Sequence, residues 1–188
     1  MTLTDQHIDS LLVLCKKGNH LAQLEVYNRY QRAMYNVAVR IVKDTAEAED
    51  IMQESFITAF SKLDSFKGTA TFGAWLKRIV VNNSITQYKK QQRFVDVPDE
   101  TIAETVEVTS GITEEDYTNE KAAAILSCMG SLHSSYQQVL TLHLIEGYDY
   151  EEICEILDIT YANCRTLVSR AKDSLRKKLK VASWKKMI

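Results

Sequence analysis

The chain has 188 residues, 45% hydrophobic and 26% charged, with a formal net charge of −2. That length suits one ordinary domain or two small ones, and the composition falls in the range of soluble globular proteins. No run of 18 apolar residues occurs, so neither a transmembrane helix nor membrane insertion is expected. The polar stretch Met1 to Asp9 lacks the basic and apolar regions of a secretory signal. Cys15, Cys128, Cys154 and Cys164 form no Cys-x-x-Cys pair. They are expected as reduced thiols in the cytoplasm, without a zinc site.

The small net charge hides an uneven distribution. Residues 1–93 carry 13 Lys/Arg against nine Asp/Glu, residues 94–120 carry none against nine, and residues 121–188 carry ten against seven. From Tyr161 onward there are nine basic residues and a single acid, Asp173. A basic end of this kind is a footprint for a polyanion, although a solvated terminal helix has the same look.

Four helices are predicted in the first block from apolar residues spaced by three and four. His7 to Lys17 is short, with Ile8, Leu11, Leu12 and Cys15 on one side. Leu21 to Val42 is long, with Leu24, Tyr27, Gln31, Met34, Tyr35, Ala38, Ile41 and Val42 on a broad face. Thr45 to Leu63 has one stripe, Ala48, Ile51, Met52, Ser55, Phe56, Ala59, Phe60 and Leu63. Asp44 or Thr45 is placed to cap it, and its opposite face offers Glu47, Asp50, Gln53 and Glu54. After a break at Ser65 to Ala70, Thr71 can cap a fourth helix with Phe72, Trp75, Leu76, Ile79 and Val80 inward.

Phe94 to Thr118 holds Pro98, the only proline, together with Gly111 and a strong acidic excess. Without a sustained apolar face it reads as a linker. Beyond it, helices are predicted at Glu120 to Met129, Ser134 to Ile145, Tyr150 to Leu157 and Tyr161 to about Lys180. The fold class is therefore all-α, with two small helical domains joined by an acidic linker. The expected boundaries are 1–93, 94–118 and 119–188.

The stretch Glu146 to Leu175 carries the clearest chemistry. Gly147 ends one helix, and Asp149 with Glu152 makes an Asp-x-x-Glu capping pattern for the next. Asp158-Ile159-Thr160 turns, and Thr160 caps the last helix. Cys164, Leu167, Val168, Ala171, Leu175 and Leu179 form its inner stripe. Tyr161, Ala162, Arg165, Thr166, Ser169, Arg170 and Lys172 are left mostly outward. A short helix, a tight turn and a longer helix with polar and basic residues near its start is a helix-turn-helix layout. Such exposed residues reach base edges and phosphates, while a plain helical hairpin with a charged outer face shares the pattern. Cys164, close to that face, suggests a redox role or, more simply, a packed thiol.

Val139 to Gly147, Tyr150-Glu151-Glu152-Ile153, Ser169-Arg170-Ala171-Lys172 and Leu175-Arg176 resemble the promoter-reading C-terminal domain of bacterial sigma factors. Other helix-turn-helix regulators share part of this. Ala48 to Phe56, Phe66-Lys67-Gly68 and Phe72 to Ile79 resemble the polymerase-binding and minus-ten-reading regions of the two-domain extracytoplasmic-function (ECF) sigma factors. The order and spacing of all these segments are similar to that family. Asp158 stands where the family usually has glycine, no proline precedes Ser134, and Asn163, Cys164 and Arg165 replace the common threonine, valine and lysine.

The resemblance implies roles for particular residues. Asp50, Gln53 and Glu54 would dock on the clamp coiled coil of the largest polymerase subunit. Phe66, Lys67, Gly68, Thr69, Lys77, Arg78 and Asn82 would hold the opened minus-ten strand, with Phe66 as a stacking surface. Phe66, Phe72 and Trp75 also suit a core, and the spacing of Phe72 and Trp75 favours that for those two. Tyr161, Ala162, Arg165, Thr166, Ser169, Arg170 and Lys172 would face minus-thirty-five DNA. Core RNA polymerase (clamp and flap region), promoter DNA and an anti-sigma factor are the implied partners. No cofactor, metal or catalytic residue is expected: His7, His20, His133 and His143 form no His-Glu-x-x-His pattern, and no glycine-rich phosphate loop occurs. The rival reading is a stand-alone helix-turn-helix regulator that binds duplex without polymerase.

Overall fold

In a computed structural model, which describes residues 3–94 and 120–185, a helix forms in each stretch read as helical from the sequence, with departures at the end of the third and within the sixth. No strand occurs among the described residues. They divide into two units, within Met1–Asp96 and within Val97–Ile188. The acidic linker expected over 94–118 lies, apart from the helical backbone of Phe94, outside the described residues.

The first unit contains α1 (Ile8–Lys16), α2 (His20–Val42), α3 (Thr45–Ser61) and α4 (Phe72–Phe94). Side chains cap their starts. Asn19 accepts from Ala22 N at 3.0 Å, Asp44 from Glu47 N at 2.8 Å and Thr71 from Ala74 N at 3.2 Å. Each satisfies one of the orphan donors that a helix leaves at its N-terminus. Helix α2 packs against α1, α3 and α4, and α3 packs against α4. Val26, Met34, Val37, Ala38, Ala48, Phe56, Leu76, Val80 and Val81 fill the space between them. Where α4 meets α2, a Cβ on Gly73 would lie 3.0 Å from the Tyr30 ring, which would have to give by a few tenths of an ångström to admit it.

The inner face of α2 differs from the expected one at its start. Leu24 is 54% exposed, and Ala22 and Val26 are buried instead. Ala22 and Val26, four residues apart, share one side of the helix, and Leu24 between them points the other way. Helix α3 also stops at Ser61, and Leu63 is buried within a separate 3-10 turn, Leu63–Ser65. Another 3-10 turn, Leu3–Asp5, precedes α1. Arg29 holds it, donating to the carbonyls of Leu3, Thr4 and Gln6 while pairing with Glu25 at 2.7 Å.

The second unit contains α5 (Glu120–Gly130), α6 (Ser134–Leu140), α7 (Tyr150–Leu157) and α8 (Tyr161–Lys185). Helix α8 packs against α5, α6 and α7. The core there includes Val139, Leu140, Leu142, Ile153, Cys164, Val168 and Ala171. His133 occupies the N-cap of α6, where its ring accepts from Ser135 N at 3.4 Å. Gln137 Nε2 donates to the carbonyls of Gly130 and Leu132, closing the turn from α5. The expected single helix Ser134 to Ile145 is interrupted. Residues Thr141–Ile145 form a π turn, with Glu146 N bonded to Thr141 O at 2.9 Å. The extra residue per turn keeps Leu142 buried and leaves Leu144 facing solvent.

Cys164 lies at the base of α8, fully buried. Burial first, and then the neighbouring Cys154 thiol, push Cys164 up to about 11 from an ordinary 9.0. At neutral pH it is therefore a protonated, packed group, and poorly disposed to act as a nucleophile. The folded state favours the neutral thiol, so its contribution is complete below pH 9 and declines as pH rises toward 11. The urea midpoint of the second unit should fall across that window, and fall less in Cys164→Ala. Parallel profiles for the two proteins would contradict this. Asp149→Ala, which removes the cap of α7, should cost about 1 kcal/mol in the same urea measurement. An unchanged midpoint would show that the cap contributes nothing to stability.

Candidate functional site

Three surfaces bring the sequence-predicted residues together. On α3, Asp50, Gln53 and Glu54 are all exposed. Asp50 and Glu54 line a groove of about 260 Å³ between α3 and α4, with Glu47, Ile51, Asn83, Thr86, Gln87 and Lys90. Polar contacts hold its walls at a fixed separation. Ser55 Oγ donates to Ile51 O, and Asn83 Nδ2 donates to Ser55 Oγ at 3.0 Å. Further along, Gln91 Nε2 donates to Glu47 Oε1, while the other Glu47 oxygen is buried without a hydrogen-bond partner among the described residues. The result is a cleft with three carboxylates, Glu47, Asp50 and Glu54, against one lysine, Lys90, a balance suited to a cationic surface. The α4 side of this cleft was not expected. Its signal was the spacing Asn83, Thr86–Gln87, Lys90, which repeats every three or four residues like Glu47, Asp50 and Glu54 opposite.

The second surface follows the turn after α3. Lys67, Gly68 and Thr69 are exposed, and Gly68 has φ +71°, a left-handed conformation that suits glycine. Phe66 is half-buried, with its ring centre 5.3 Å from Trp75 and 5.8 Å from Phe72. Phe72 and Tyr30 extend the cluster at 5.4 Å. Phe72 is core, whereas Phe66 and Trp75 keep part of their rings accessible. Asn82 is exposed one turn beyond Arg78 on α4, and both Lys77 and Arg78 are half-buried. Lys77 and Arg78 already have interaction partners within the protein.

The third surface is the start of α8. Helix α7 carries a reciprocal capping box, in which Glu152 N donates to Asp149 Oδ1 at 2.8 Å and Asp149 N to Glu152 Oε2 at 3.0 Å. Asp158 ends α7 at φ +58°, ψ +54°, so aspartate takes the left-handed position expected of glycine. Thr160 then caps α8, with its hydroxyl accepting from Asn163 N at 3.4 Å. Tyr161, Ala162, Arg165, Thr166, Ser169 and Arg170 are exposed, and Lys172 is half-buried. Arg165, Arg170 and Lys172 make no hydrogen bond or ion pair among the described residues. By contrast, Arg176 is bound to Asp173 at 2.8 Å. Tyr161 also belongs to an aromatic row, 6.1 Å from Tyr150, which lies 5.1 Å from His143. Asn163 is exposed on this face and was absent from the expected set, although its place one residue before the inward Cys164 marks it as outward.

Comparison with known proteins identifies the family of both units. Residues 26–94 match the model of Sigma-70 region 2, and residues 122–175 match Sigma-70 region 4. The ECF RNA polymerase sigma factor SigW of Bacillus subtilis is 30% identical over 178 residues, covering 88% of this chain and 92% of SigW. The ECF RNA polymerase sigma-E factor of Escherichia coli is 28% identical over 186 residues, covering 94% and 97%. Among solved structures, the sigma factor RpoE in complex with the anti-sigma factor NepR from Bartonella quintana aligns with a TM-score of 0.59 at 24% identity. That alignment covers 84% of this chain and 96% of RpoE. CnrH, solved with the cytosolic domain of CnrY, aligns at 0.53 and 21%, covering 91% and 96%. With a region 2 unit, a region 4 helix-turn-helix and a relative matched over nearly its whole length, the chain belongs to the ECF RNA polymerase sigma factors.

Proposed function

We propose that the chain directs core RNA polymerase to specific promoters by dividing the work between its two units. The observation that carries this reading is the start of α8. Exposed Arg165 and Arg170 and half-buried Lys172, none of them engaged among the described residues, stand with small polar side chains on the outward side of the helix, behind a capped short helix and a tight turn. Residues 119–188 form the unit that inserts this face into the major groove of the minus-thirty-five element. Tyr161, Ala162, Thr166 and Ser169 lie toward base edges, and Arg165, Arg170 and Lys172 supply charge for bases and phosphates. The same unit touches the polymerase flap region.

Residues 1–93 form the unit that grips the enzyme and the melted strand. Asp50, Gln53 and Glu54 dock on the clamp coiled coil of the largest subunit, where charge complementarity sets register and association rate. Phe66, Lys67, Gly68, Thr69, Lys77, Arg78 and Asn82 hold the opened minus-ten strand. The accessible part of Phe66 offers a stacking surface worth about 1–3 kcal/mol per base. The acidic segment 94–118 joins the units and passes through polymerase channels, where its charge mimics nucleic acid. Linking two modest sites raises the effective concentration of each for the other, so neither unit has to bind tightly alone.

In this reading the protein acts in the cytoplasm as a non-enzymatic factor, without cofactor or metal. Among the described residues no helix is long and apolar enough to cross a membrane, and no cluster of His, Cys, Asp and Glu could hold a metal. An anti-sigma factor is the further partner. RpoE and CnrH support this, since each was solved with a bound partner.

Run-off transcription with purified core polymerase on genomic promoters tests the proposal. Discrete start sites should appear only when the chain is added. A protein that confers no start-site selection, yet binds operator duplex unaided as a dimer, would be a stand-alone regulator. Asp50→Ala combined with Gln53→Ala should weaken holoenzyme assembly by at least about tenfold, a loss in the range of truncated interface hot spots. Unchanged co-purification with polymerase counts against that docking face. Arg165→Ala should cost about 1–3 kcal/mol at one upstream base pair, read by binding to promoter variants. An equal loss across all variants would reassign Arg165 to phosphate.

A further inference from the structure

The outward face of α8 can be sorted by what each side chain has left to offer. Asn163, Thr166 and Arg170 are all exposed, and their spacing of three and four residues puts them on one line along the helix. Cys164, Val168, Ala171 and Leu175 are buried on the other side. At 1.5 Å per residue the line spans about 10 Å, roughly three base-pair steps of B-DNA. Thr166 Oγ1 donates to Ala162 O at 2.9 Å, so its proton is used within the helix and its methyl group and lone pairs remain. Arg170 makes no contact that fixes its guanidinium among the described residues.

Asn163 is the distinctive member of the row. Its backbone N–H is held by Thr160 Oγ1 at 3.4 Å, which anchors the first turn. Its side-chain amide has no hydrogen-bond partner among the described residues. Ala162 beside it is exposed and small, so nothing bulky on that side keeps the helix from the floor of a groove. The amide offers a donor and an acceptor side by side in one plane. In the major groove, adenine presents the matching pair, an N7 acceptor beside an N6 donor. Guanine presents two acceptors there and would repel the amide oxygen.

We propose that Asn163 reads an adenine in the upstream promoter element and is a specificity-determining residue of this chain. The proposal rests on α8 being the helix that enters the major groove. It makes adenine at one position a requirement set by a residue that replaces the threonine common in the family.

The test uses holoenzyme assembled from core polymerase and the full chain, with a promoter library randomised across the upstream element. Wild type should enrich adenine at one position, and Asn163→Ala should lose that preference by about 5- to 150-fold while keeping its preferences elsewhere. Replacing that adenine by 7-deazaadenine, which lacks N7, should weaken wild type and leave Asn163→Ala unaffected. Asn163→Asp, an acceptor without a donor, should move the preference toward cytosine, whose N4 donates. If Asn163→Ala enriches the same sequences as wild type, or 7-deazaadenine is neutral for wild type, the assignment of Asn163 is wrong while the role of α8 stands. A wild-type selection that is flat across the whole element overturns both.

Discussion

An eight-residue helix is too short to persist in water by its own hydrogen bonds, and the placement of α8 depends on such a helix. Helix α7 is held at one end by the Asp149–Glu152 box and along its side by Ile153, Ile156 and Leu157 against the core. Its far end is fixed by the left-handed backbone of Asp158, from which Ile159 N reaches back to Cys154 O at 3.1 Å. The turn fixes the angle at which the next helix leaves, and Thr160 sets where that helix begins. Lys178 adds a distant anchor, donating to Ser131 in the turn between α5 and α6. The exposed face of α8, proposed above to meet DNA, is thus positioned by contacts at the start of the helix and near residue 178.

The first unit solves a related problem with polar contacts. Two helices that form the walls of a groove need a spacer that neither collapses nor slides. Ser55 and Asn83 supply it at 3.0 Å, in the buried seam between α3 and α4. A hydroxyl bonded to its own helix and an amide from the neighbour set both distance and register, which apolar packing alone sets less sharply. The acidic rim of Asp50 and Glu54 inherits its geometry from that seam.

Helical periodicity made most of the architecture legible. The starts of α3, α4, α7 and α8 were readable because each follows a capping residue, and the inner stripe of α8 was readable because Cys164, Val168, Ala171 and Leu175 step regularly. The π turn at Thr141–Ile145 was not legible, since Val139 to Ile145 is equally compatible with an uninterrupted helix. The exposure of Leu24 was missed for a different reason. Periodicity tells which residues share a face, whereas burial depends on whether a neighbour extends far enough to cover it. At the candidate sites, the outward residues of α8 followed from the same arithmetic. The groove side of α4 did not, because pairing two helices is a tertiary fact that no single stripe contains.

The interleaving of the two faces of α8 has an evolutionary consequence. Buried core residues and the exposed residues proposed to meet DNA alternate along one helix, so a change in one set need not disturb the other. Positions 162, 163, 166 and 169 are exposed, whereas the packing is made at 164, 168, 171 and 175. Paralogues that share this scaffold can therefore diverge in the genes they switch on without passing through unfolded intermediates. A duplicated copy needs only a surface substitution or two to acquire a regulon of its own.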